Sequence, residues 1–446
     1  MELFPSLFTA AYAGRHNEVL KAIVQAWPFA CLPLGTLMKE WQPHQEAFQA
    51  VLRGLDTLLT QEVRPRKWKL QVLDLRQKTP QDLETLWTRT RDGLCLLPEA
   101  AQPLMKKQKV GDSGRGVKQP LAPVQVLIDL YLNKGSHDEL LTSLIEKVKQ
   151  RKGLLYLSCK KLRIFEVPLQ NIKMILKMVQ LDSVQDLEVS FTWKLPILGK
   201  FASHLGQMHN LRRLILSHIQ ISPGTSSEDE EQCVNQLSTQ FLCLHHLQEL
   251  HLESLFFLQG RLHNVLRCLV SPLKILSVTS CLLLESDLMN LSQCPNTRQL
   301  MELNLNRVSL SNVISESIGA LLKSVSATLQ NLSLNECGII DSQLTAILPS
   351  IRQCSQLTVF TFSGNPVSMS VLESLPHHTI GLTKLRRVRY PAPRESYENA
   401  DDINHLGMLA HLQARLMQVL RELGHNNVEW LGANSCPHCD WPLYDP

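Results

Sequence analysis

The sequence LQNLSLNECGI, residues 329–339, decides the fold of this chain because its spacing of apolar residues recurs. Its aliphatic side chains lie at Leu329, Leu332 and Leu334, and Cys337 and Ile339 follow them. Similar stretches begin at positions 184, 211, 247, 273, 300, 329, 357 and 385, at spacings of 27, 36, 26, 27, 29, 28 and 28 residues. An L-x-x-L-x-L-x-x-[N/C] pattern with a period in the high twenties predicts a leucine-rich-repeat solenoid.

The spacing within each repeat indicates one strand and one helix. Leucines at alternate positions point to one side of a strand, so they form the interior of the stack. After Cys337, the residues Leu344, Ile347, Leu348 and Ile351 recur at helical spacing. We therefore predict an α/β horseshoe, with parallel strands on its concave side and helices on its convex side.

The remaining sequence indicates caps and an insertion around the solenoid. Amphipathic patterns predict a helical N-terminal cap or docking region, and WKLQVLDLRQ, from Trp68, predicts an isolated first strand. A second strand is predicted around Leu155. The predicted segments are the cap at 1–65, a first strand unit at 66–98, a linker or insertion at 99–120, the solenoid at 121–394 and a C-terminal cap with a CPHC turn at 395–446.

Composition limits the classes of protein. With 44% apolar and 19% charged residues over 446 positions, the chain is typical of a soluble folded protein, and a formal charge of +4 gives no reason to expect direct nucleic-acid binding. Twelve cysteines without paired spacings favour a reducing compartment, hence the cytoplasm. No apolar run is long enough to span a bilayer, so no membrane partner is expected. The KKQK at 106–109 is either a solvated loop or a nuclear-import patch, which leaves the nucleus as an alternative location.

No strong enzyme motif occurs, so we predict a non-catalytic protein without a cofactor. The cysteines Cys281 and Cys337 at the ends of repeat strands are expected to be buried thiols rather than nucleophiles. Near the C-terminus, Cys436 and Cys439 have the gap of a zinc-binding pair, but a structural site needs four ligands. They form either a metal site or a free-thiol turn.

One short motif has two interpretations. LDTLL at 55–59 has the L-x-x-L-L form by which a helix enters a nuclear-receptor groove. The same leucines lie on the stripe that the N-terminal cap needs for packing, and the core interpretation is favoured. The exposure of these side chains distinguishes the two.

Stretches outside the repeats resemble the PRAME family, preferentially expressed antigen in melanoma, over nearly the whole chain. The resembling stretches are ELFPSLF at 2–8, the runs 21–39, 51–76, 160–183, 205–219 and 336–343, YPAPRESYE at 390–398, and CPHC at 436–439. The resemblance implies a substrate-recognition adaptor of a cullin-2 RING ubiquitin ligase that promotes proteasomal degradation. It also implies negative regulation of transcription through retinoic-acid-receptor signalling, support of proliferation and negative regulation of apoptosis.

Family members commonly carry a helical segment resembling an elongin-binding box upstream of the ELFP stretch. This chain begins at that stretch, so we expect docking of a cullin-2/elongin scaffold to use the N-terminal cap. The expected docking residues are Leu20, Val24, Trp27, Pro28, Leu32 and Pro33. The receptor-binding L-x-x-L-L of the family's C-terminal helix reads Leu416, Met417, Gln418, Val419, Leu420 here.

The polar positions of the repeat strands are the expected binding surface for a protein client. A solenoid displays these side chains on its concave side as a wide, pre-ordered platform, which selects by complementarity. The expected partner-binding residues are Arg213, Ile215, Ser217, Glu249, His251, Glu253, Asn304, Asn306, Arg307, Asn331, Ser333, Asn335, Arg387 and Arg389, with Ser277 and Thr279 between them. The client could be a ligase substrate or, as an alternative without ubiquitin transfer, a nuclear receptor or other transcriptional partner.

Overall fold

A computed structural model describes residues 3–38, 45–61, 69–76, 123–133, 139–190, 193–396, 405–423 and 429–432. The chain divides into two compact units, unit 1 at Met1–Leu187 and unit 2 at Glu188–Pro446. Both contain parallel strands connected through helices, so the predicted α/β leucine-rich-repeat class is confirmed.

Unit 1 begins with helices that pack around a buried tryptophan. These helices are α1 (Leu3–Ala13), α2 (Asn17–Gln25), α3 (Leu34–Leu37) and α4 (Gln45–Leu59). The Trp27 ring meets Phe8 edge to face at a centroid distance of 6.3 Å, and its Nε1 donates a hydrogen bond to the Cys31 carbonyl oxygen at 2.9 Å. Helices α2 and α4 approach closely at Gly54, where a β-carbon would lie 2.8 Å from the Lys21 carbonyl oxygen.

The sheet of unit 1 is parallel and starts earlier than the sequence indicated. Its strands are β1 (Cys31–Leu32), β2 (Val72–Asp74), β3 (Val124–Asn133) and β4 (Leu155–Phe165), paired in that order, and β5 (Val179–Gln180) pairs with β4. The predicted strand after Trp68 is thus the second strand rather than the first. The strand β3 lies between it and β4 and was not predicted. Two helices, α5 (Glu139–Gln150) and α6 (Leu169–Leu176), complete the unit.

Unit 2 adds one strand per repeat in the predicted order. After β6 (Asp186–Ser190), its strands are β7 (Arg213–Ser217), β8 (Glu249–Glu253), β9 (Ile275–Thr279), β10 (Glu302–Asn304), β11 (Asn331–Ser333), β12 (Val359–Thr361), β13 (Arg387–Tyr390) and β14 (Glu429–Gly432). From β7 to β14 each strand pairs in parallel with the next. The repeat leucines face the interior, and Leu214, Leu250 and Leu276 are fully buried. The period therefore assigned β6 to β13 correctly, whereas β14 was not predicted.

Each repeat of unit 2 returns through helical structure on the other side of the sheet. The helices are α7 (Leu195–Leu205), α8 (Ser227–Gln240), α9 (Leu262–Leu266), α10 (Glu285–Gln293), α11 (Ser315–Val325), α12 (Asp341–Gln353), α13 (Met369–Thr379) and α14 (His405–Glu422). In α12 the residues Leu344, Ile347, Leu348 and Ile351 are all buried, as their helical spacing predicted.

Six consecutive repeats of unit 2, those that begin at positions 211 to 357, leave their strands through a left-handed residue at the same register. That residue lies seven positions after the first repeat leucine. Its left-handed conformation makes the turn tight, because few other backbone conformations reverse the direction of the chain so sharply. The positive φ angles are 54° at His218, 53° at Ser254, 52° at Ser280, 58° at Arg307, 55° at Glu336 and 70° at Gly364.

In three of these repeats the next residue, Cys281, Cys337 or Asn365, is buried and bonds neighbouring backbone, as predicted for the cysteine position. Asn365 accepts from the Cys337 and Ile339 amides at 3.1 and 3.0 Å and donates to the Leu334 carbonyl oxygen at 2.8 Å. The Cys337 thiol donates to the Leu305 carbonyl oxygen at 3.1 Å. Burial raises the pKa of Cys337 to about 12 and that of Cys281 to about 11. The predicted burial of these thiols is confirmed, and the raised pKa favours the neutral thiol, which is a poor nucleophile.

Candidate functional site

The polar strand face is the candidate site, and we define it as the side chains of β7–β14 that alternate with the buried leucines of unit 2. Parallel pairing aligns these side chains in rows, because equivalent positions of successive strands are direct neighbours. One row contains Arg213, Glu249, Ile275, Glu302, Asn331, Val359, Arg387 and Glu429, and the next contains Ile215, His251, Ser277, Asn304, Ser333, Thr361 and Arg389. The structure thus aligns nine of the fourteen predicted partner-binding residues in these two rows.

Ion pairs connect neighbouring repeats across this face. The Arg213 Nε lies 3.5 Å from Glu249 Oε2, and the Arg387 Nε lies 2.8 Å from Glu429 Oε2. Both side chains of the second pair are 53% exposed, so the pair adds little to stability, and a partner can compete for either member. Glu302 and Glu429 belong to the face and were missed from the sequence. Glu302 lies within a copy of the repeat pattern, which could have identified it. Glu429 lies in no complete copy of the pattern.

A third pair extends the face beyond the strand ends. The Arg307 Nε lies 3.0 Å from Glu336 Oε2, and the hydrogen bond that the Arg307 guanidinium donates to this carboxylate raises the pKa of Arg307. Both residues occupy the left-handed position of their repeats, which directs them away from the core. Arg307 is therefore an exposed cation, as its assignment to the binding surface requires.

Three asparagines of the predicted set have a structural role instead. Asn306 Oδ1 accepts a hydrogen bond from the Asn335 amide at 2.8 Å, and Asn335 Oδ1 accepts from the Ser363 amide at 2.8 Å. Asn304 Oδ1 accepts from the Asn306 amide at 3.0 Å. These oxygens satisfy backbone groups where the strands end, so we revise Asn304, Asn306 and Asn335 from partner-binding to stack-forming residues.

Burial removes two serines from the surface. Ser217 is only 4% exposed, and its hydroxyl lies 2.7 Å from the hydroxyl of Ser190 on the preceding strand. Ser277 is also buried. The assignment of Ser217 to partner binding was therefore wrong, because its hydroxyl group is buried and bonds another residue of unit 2. Asn331 is half-buried and donates to Glu302 Oε2 at 3.4 Å.

Accessible polar groups concentrate at two places on the face. Toward β7 and β8, Ile215, His251 and Glu253 are half-buried, and Glu253 lies 3.9 Å from His218 Nε2. Toward β13, Arg387 and Arg389 are exposed. Among the described residues, Arg389 has no ion-pair partner, so this end of the face offers an uncompensated positive charge to a client. Ser333 lies half-buried between the two places.

The predicted ligase-docking residues lie in the core of unit 1. Leu20, Val24, Trp27 and Leu32 are at most 1% exposed, Pro33 is buried and Pro28 is half-buried. Their apolar stripe packs inward, so they do not present a docking surface, and we correct that assignment. The exposed apolar side chains of this region are Leu3 and Leu7 on α1, at 71% and 52%, and Val19 on α2 at 50%.

Both receptor-type leucine motifs are internal. Leu55, Leu58 and Leu59 are at most 3% exposed, which confirms the core interpretation of LDTLL. Leu416 and Leu420 on α14 are also buried. The KKQK segment, Cys436 and Cys439 lie outside the described residues. Within the described ranges, no group of three potential ligands could hold a metal ion, and no helix combines the length and apolarity needed to cross a bilayer.

Known proteins similar to this chain belong to one family. The model of the PRAME N-terminal domain matches residues 1–84, and that of the PRAME C-terminal domain matches residues 124–446. Human PRAME family member 12 is 47% identical over 439 residues, which cover 98% of this chain and 88% of that protein. Human PRAME family member 8 is 46% identical over 439 residues, covering 98% of this chain and 90% of that protein.

Two solved structures, a leucine-rich-repeat-containing protein and an internalin, are also similar. The leucine-rich-repeat-containing protein LegL7 from Legionella pneumophila has a TM-score of 0.35 and 15% identity, with 59% of this chain and 81% of that chain covered. An internalin, inlF, from Listeria monocytogenes has a TM-score of 0.33 and 13% identity, with 66% and 78% covered. The strand register above, rather than these matches, defines the fold.

Proposed function

The chain belongs to the PRAME family, and from that membership we propose that it is the substrate-recognition adaptor of a cullin-2 RING ubiquitin ligase. The leucine-rich-repeat fold is suited to a protein-binding scaffold. In the proposed role, the polar strand face holds a client protein while unit 1 contacts the elongin and cullin-2 subunits. The chain itself carries out no catalysis, and degradation of the client lowers transcription linked to retinoic-acid-receptor signalling. Nine free cysteines among the described residues fit a reducing compartment, and we propose the cytoplasm.

The polar strand face is the single observation that carries this proposal. Its rows contain exposed charges and hydrogen-bonding groups from successive rigid strands, so a client meets a surface that needs little ordering on binding. Arg387 and Arg389 are both exposed, and Arg389 has no ion-pair partner among the described residues, so they form a cationic part of the face that is not fully compensated. We therefore propose a client with an acidic patch opposite β13.

The ligase step is tested with purified proteins. We expect the full chain to associate with an elongin–cullin-2 complex, and we place the contact on the exposed leucines of α1. The double variant Leu3→Glu with Leu7→Glu should then lose association, because it introduces charge into an apolar contact. Met174→Glu is the matched control, since Met174 is 58% exposed elsewhere in unit 1. Absence of association by the unmodified chain would remove the ligase role and favour the alternative, a co-regulator that binds its partner without ubiquitin transfer.

Client binding is tested separately on unit 2. Proteins that co-purify with the full chain are identified by mass spectrometry, and the same purification is repeated with Arg387→Glu plus Arg389→Glu. Loss of one reproducible set of proteins is expected. Arg352→Glu is the control, because Arg352 is exposed on α12, outside the strands. An unchanged set with the double variant would show that the client does not use this end of the strand face.

A further inference from the structure

Three successive helices of unit 2 begin at an exposed aliphatic residue. Leu284, Ile314 and Ile340 are the N-cap residues of α10, α11 and α12, and they are 45%, 55% and 44% exposed. Serine, threonine, aspartate and asparagine are strongly preferred at this position, because their side chains accept hydrogen bonds from the first helical amides. The chain uses such a cap elsewhere, since Ser226 Oγ accepts from the Asp229 amide at the start of α8.

The helices do not need these aliphatic side chains to begin. At α10, Asp287 Oδ2 accepts from the Leu284 amide at 2.9 Å, and at α12, Gln343 Oε1 accepts from the Ile340 amide at 3.2 Å. The amides of Leu284 and Ile340 are thus satisfied by a side chain three positions later, whatever side chain the cap carries. Core packing does not require them either, because about half of each side chain faces solvent.

Together these residues form part of one edge of unit 2. In a parallel sheet, all connections from strand to helix leave at the same edge, the one formed by the carboxyl ends of the strands. Phe256 and Leu282 lie in such connections and are 52% and 46% exposed. Leu284 leans on the preceding repeat, since its Cδ1 would be 3.2 Å from a β-carbon at Gly260. We call Phe256, Leu282, Leu284, Ile314 and Ile340 the apolar rim.

Acidic residues accompany the apolar rim. Glu285, Glu316 and Asp341 stand in the first turns of α10, α11 and α12, and Glu228, Asp229 and Glu231 stand in α8. Helix dipoles favour acidic residues there, so the charges alone indicate no partner. Of these acidic residues only Asp341 lies beside an arginine among the ion pairs of the described residues, because the other arginines of this edge pair with different carboxylates. Arg261 binds Glu230 at 2.8 Å, Arg307 binds Glu336, and Arg394 lies 4.0 Å from Asp341.

The spacing of the rim fits a helix. Packed neighbouring helices lie about 8–10 Å apart, so successive N-cap residues have about that separation. Seven residues of an α-helix rise about 10 Å. Aliphatic side chains seven residues apart on a partner helix would therefore meet successive rim residues.

We propose that the apolar rim binds a basic amphipathic helix of a partner protein, with aliphatic residues at seven-residue intervals and flanking lysines or arginines. Isolated exposed aliphatic residues are ordinary on protein surfaces. Aliphatic residues at three consecutive N-cap positions lower helix stability, because polar residues stabilise helices better there. Binding of the partner helix offsets this loss of stability. This site is separate from the polar strand face and does not depend on the proposed ligase role.

The test uses the full chain and a synthetic helical peptide of leucine and lysine, about 15 residues long, which spans roughly 22 Å. Fluorescence anisotropy measures its affinity. The double variant Ile314→Ser with Ile340→Ser should weaken binding about tenfold or more, with a melting temperature equal to or above that of the unmodified chain, because serine is the better cap. Ile380→Ser is the matched control, since Ile380 is 56% exposed at the other end of α13, and its affinity should change less than about twofold.

Three outcomes would overturn the proposal. The first is equal affinity of the lysine peptide for the double variant and the unmodified chain. The second is that the unmodified chain binds a peptide with glutamate in place of lysine as tightly as it binds the lysine peptide. That result would exclude charge complementarity. The third is self-association of the unmodified chain, by sedimentation, that the double variant abolishes, because the rim would then be covered by a second copy.

Discussion

Single residues at the left-handed register decide how six repeats of unit 2 turn. Five of the six such positions carry a side chain, although an L-residue with positive φ is strained by about 1–2 kcal/mol. Gly364 avoids this strain, and it also leaves space for Glu336, whose Cγ would be 2.7 Å from a β-carbon at Gly364.

We predict that Gly364→Ala lowers the free energy of unfolding by about 1–2 kcal/mol, because alanine resists positive φ and would crowd Glu336. Chemical denaturation of the full chain measures the change. Gly381→Ala is the control, because the nearest atom to its β-carbon, Arg352 Nε, is 3.9 Å away. Equal losses in the two variants would show that backbone strain is not the cause.

The sequence predicted buried residues better than surface roles. The alternation of leucines shows which side chains face inward, so the burial of Cys337 followed directly. The polar positions gave no indication of which side chains bond to their own backbone neighbours. Asn304 and Ser333 occupy the same position of their repeats, and the Asn304 side chain accepts a hydrogen bond from the Asn306 amide, a role that its position in the sequence does not indicate.

At the scale of the structural element, the turn after β12 depends on one amide side chain. Asn365 is fully buried and bonds four backbone groups, those of Cys337, Ile339, Leu334 and Phe362. It therefore connects two consecutive repeats where both chains leave the sheet.

We predict that Asn365→Ala destabilises the chain by about 3 kcal/mol or more, because several buried backbone groups lose their partners. Asn365→Cys should cost less, since Cys337 occupies the same register with a thiol that donates to a carbonyl oxygen. Thermal and chemical unfolding measure both variants. The explanation fails if the cysteine variant is as unstable as the alanine variant.

Strand prediction depended on the leucine pattern, and its errors follow from that. β1 is only two residues long, too short to contain a period. β3, VQVLIDLYLN, alternates Val124, Val126, Ile128, Leu130 and Leu132 over ten residues instead of following the repeat. Both strands pair with neighbours that are distant in sequence, which no local pattern reveals.

For the whole molecule, buried thiols link stability to alkaline pH. Burial raises the pKa of Cys159 and Cys337 to about 12 and that of Cys281 and Cys354 to about 11, from an ordinary 9.0. Below pH 9 the folded and unfolded chains both keep the thiol protons. Between pH 9 and the folded pKa values only the unfolded chain releases them, so stability present below pH 9 is lost as the pH rises.

We predict that Cys337→Ala reduces this loss. One thiol shifted from 9.0 to about 12 contributes about 1 kcal/mol to the fall in unfolding free energy between pH 8 and pH 10. Urea denaturation at both pH values, for the variant and the unmodified chain, measures the difference. The comparison uses the change with pH, so the packing cost of the substitution cancels. Identical falls in both proteins would contradict the assignment.

Docking surfaces were the least predictable feature of the whole chain. An amphipathic stripe shows that a helix has a buried side. The same stripe occurs in the sequence whether that side packs against another helix of the chain or against a partner protein. Leu20 and Trp27 are core residues, whereas Leu3 and Leu7 on the preceding helix are exposed. Only the packing of α1 and α2 distinguishes the two sets.

The shortness of β1 has a consequence for solubility. A terminal strand of a sheet offers unpaired amides and carbonyls to any other polypeptide, and long terminal strands invite fibrous aggregation. Cys31–Leu32 offers only two residues for such pairing, and Pro33 directly after them has no amide proton to donate. Lengthening this strand would therefore favour end-to-end polymers of the protein.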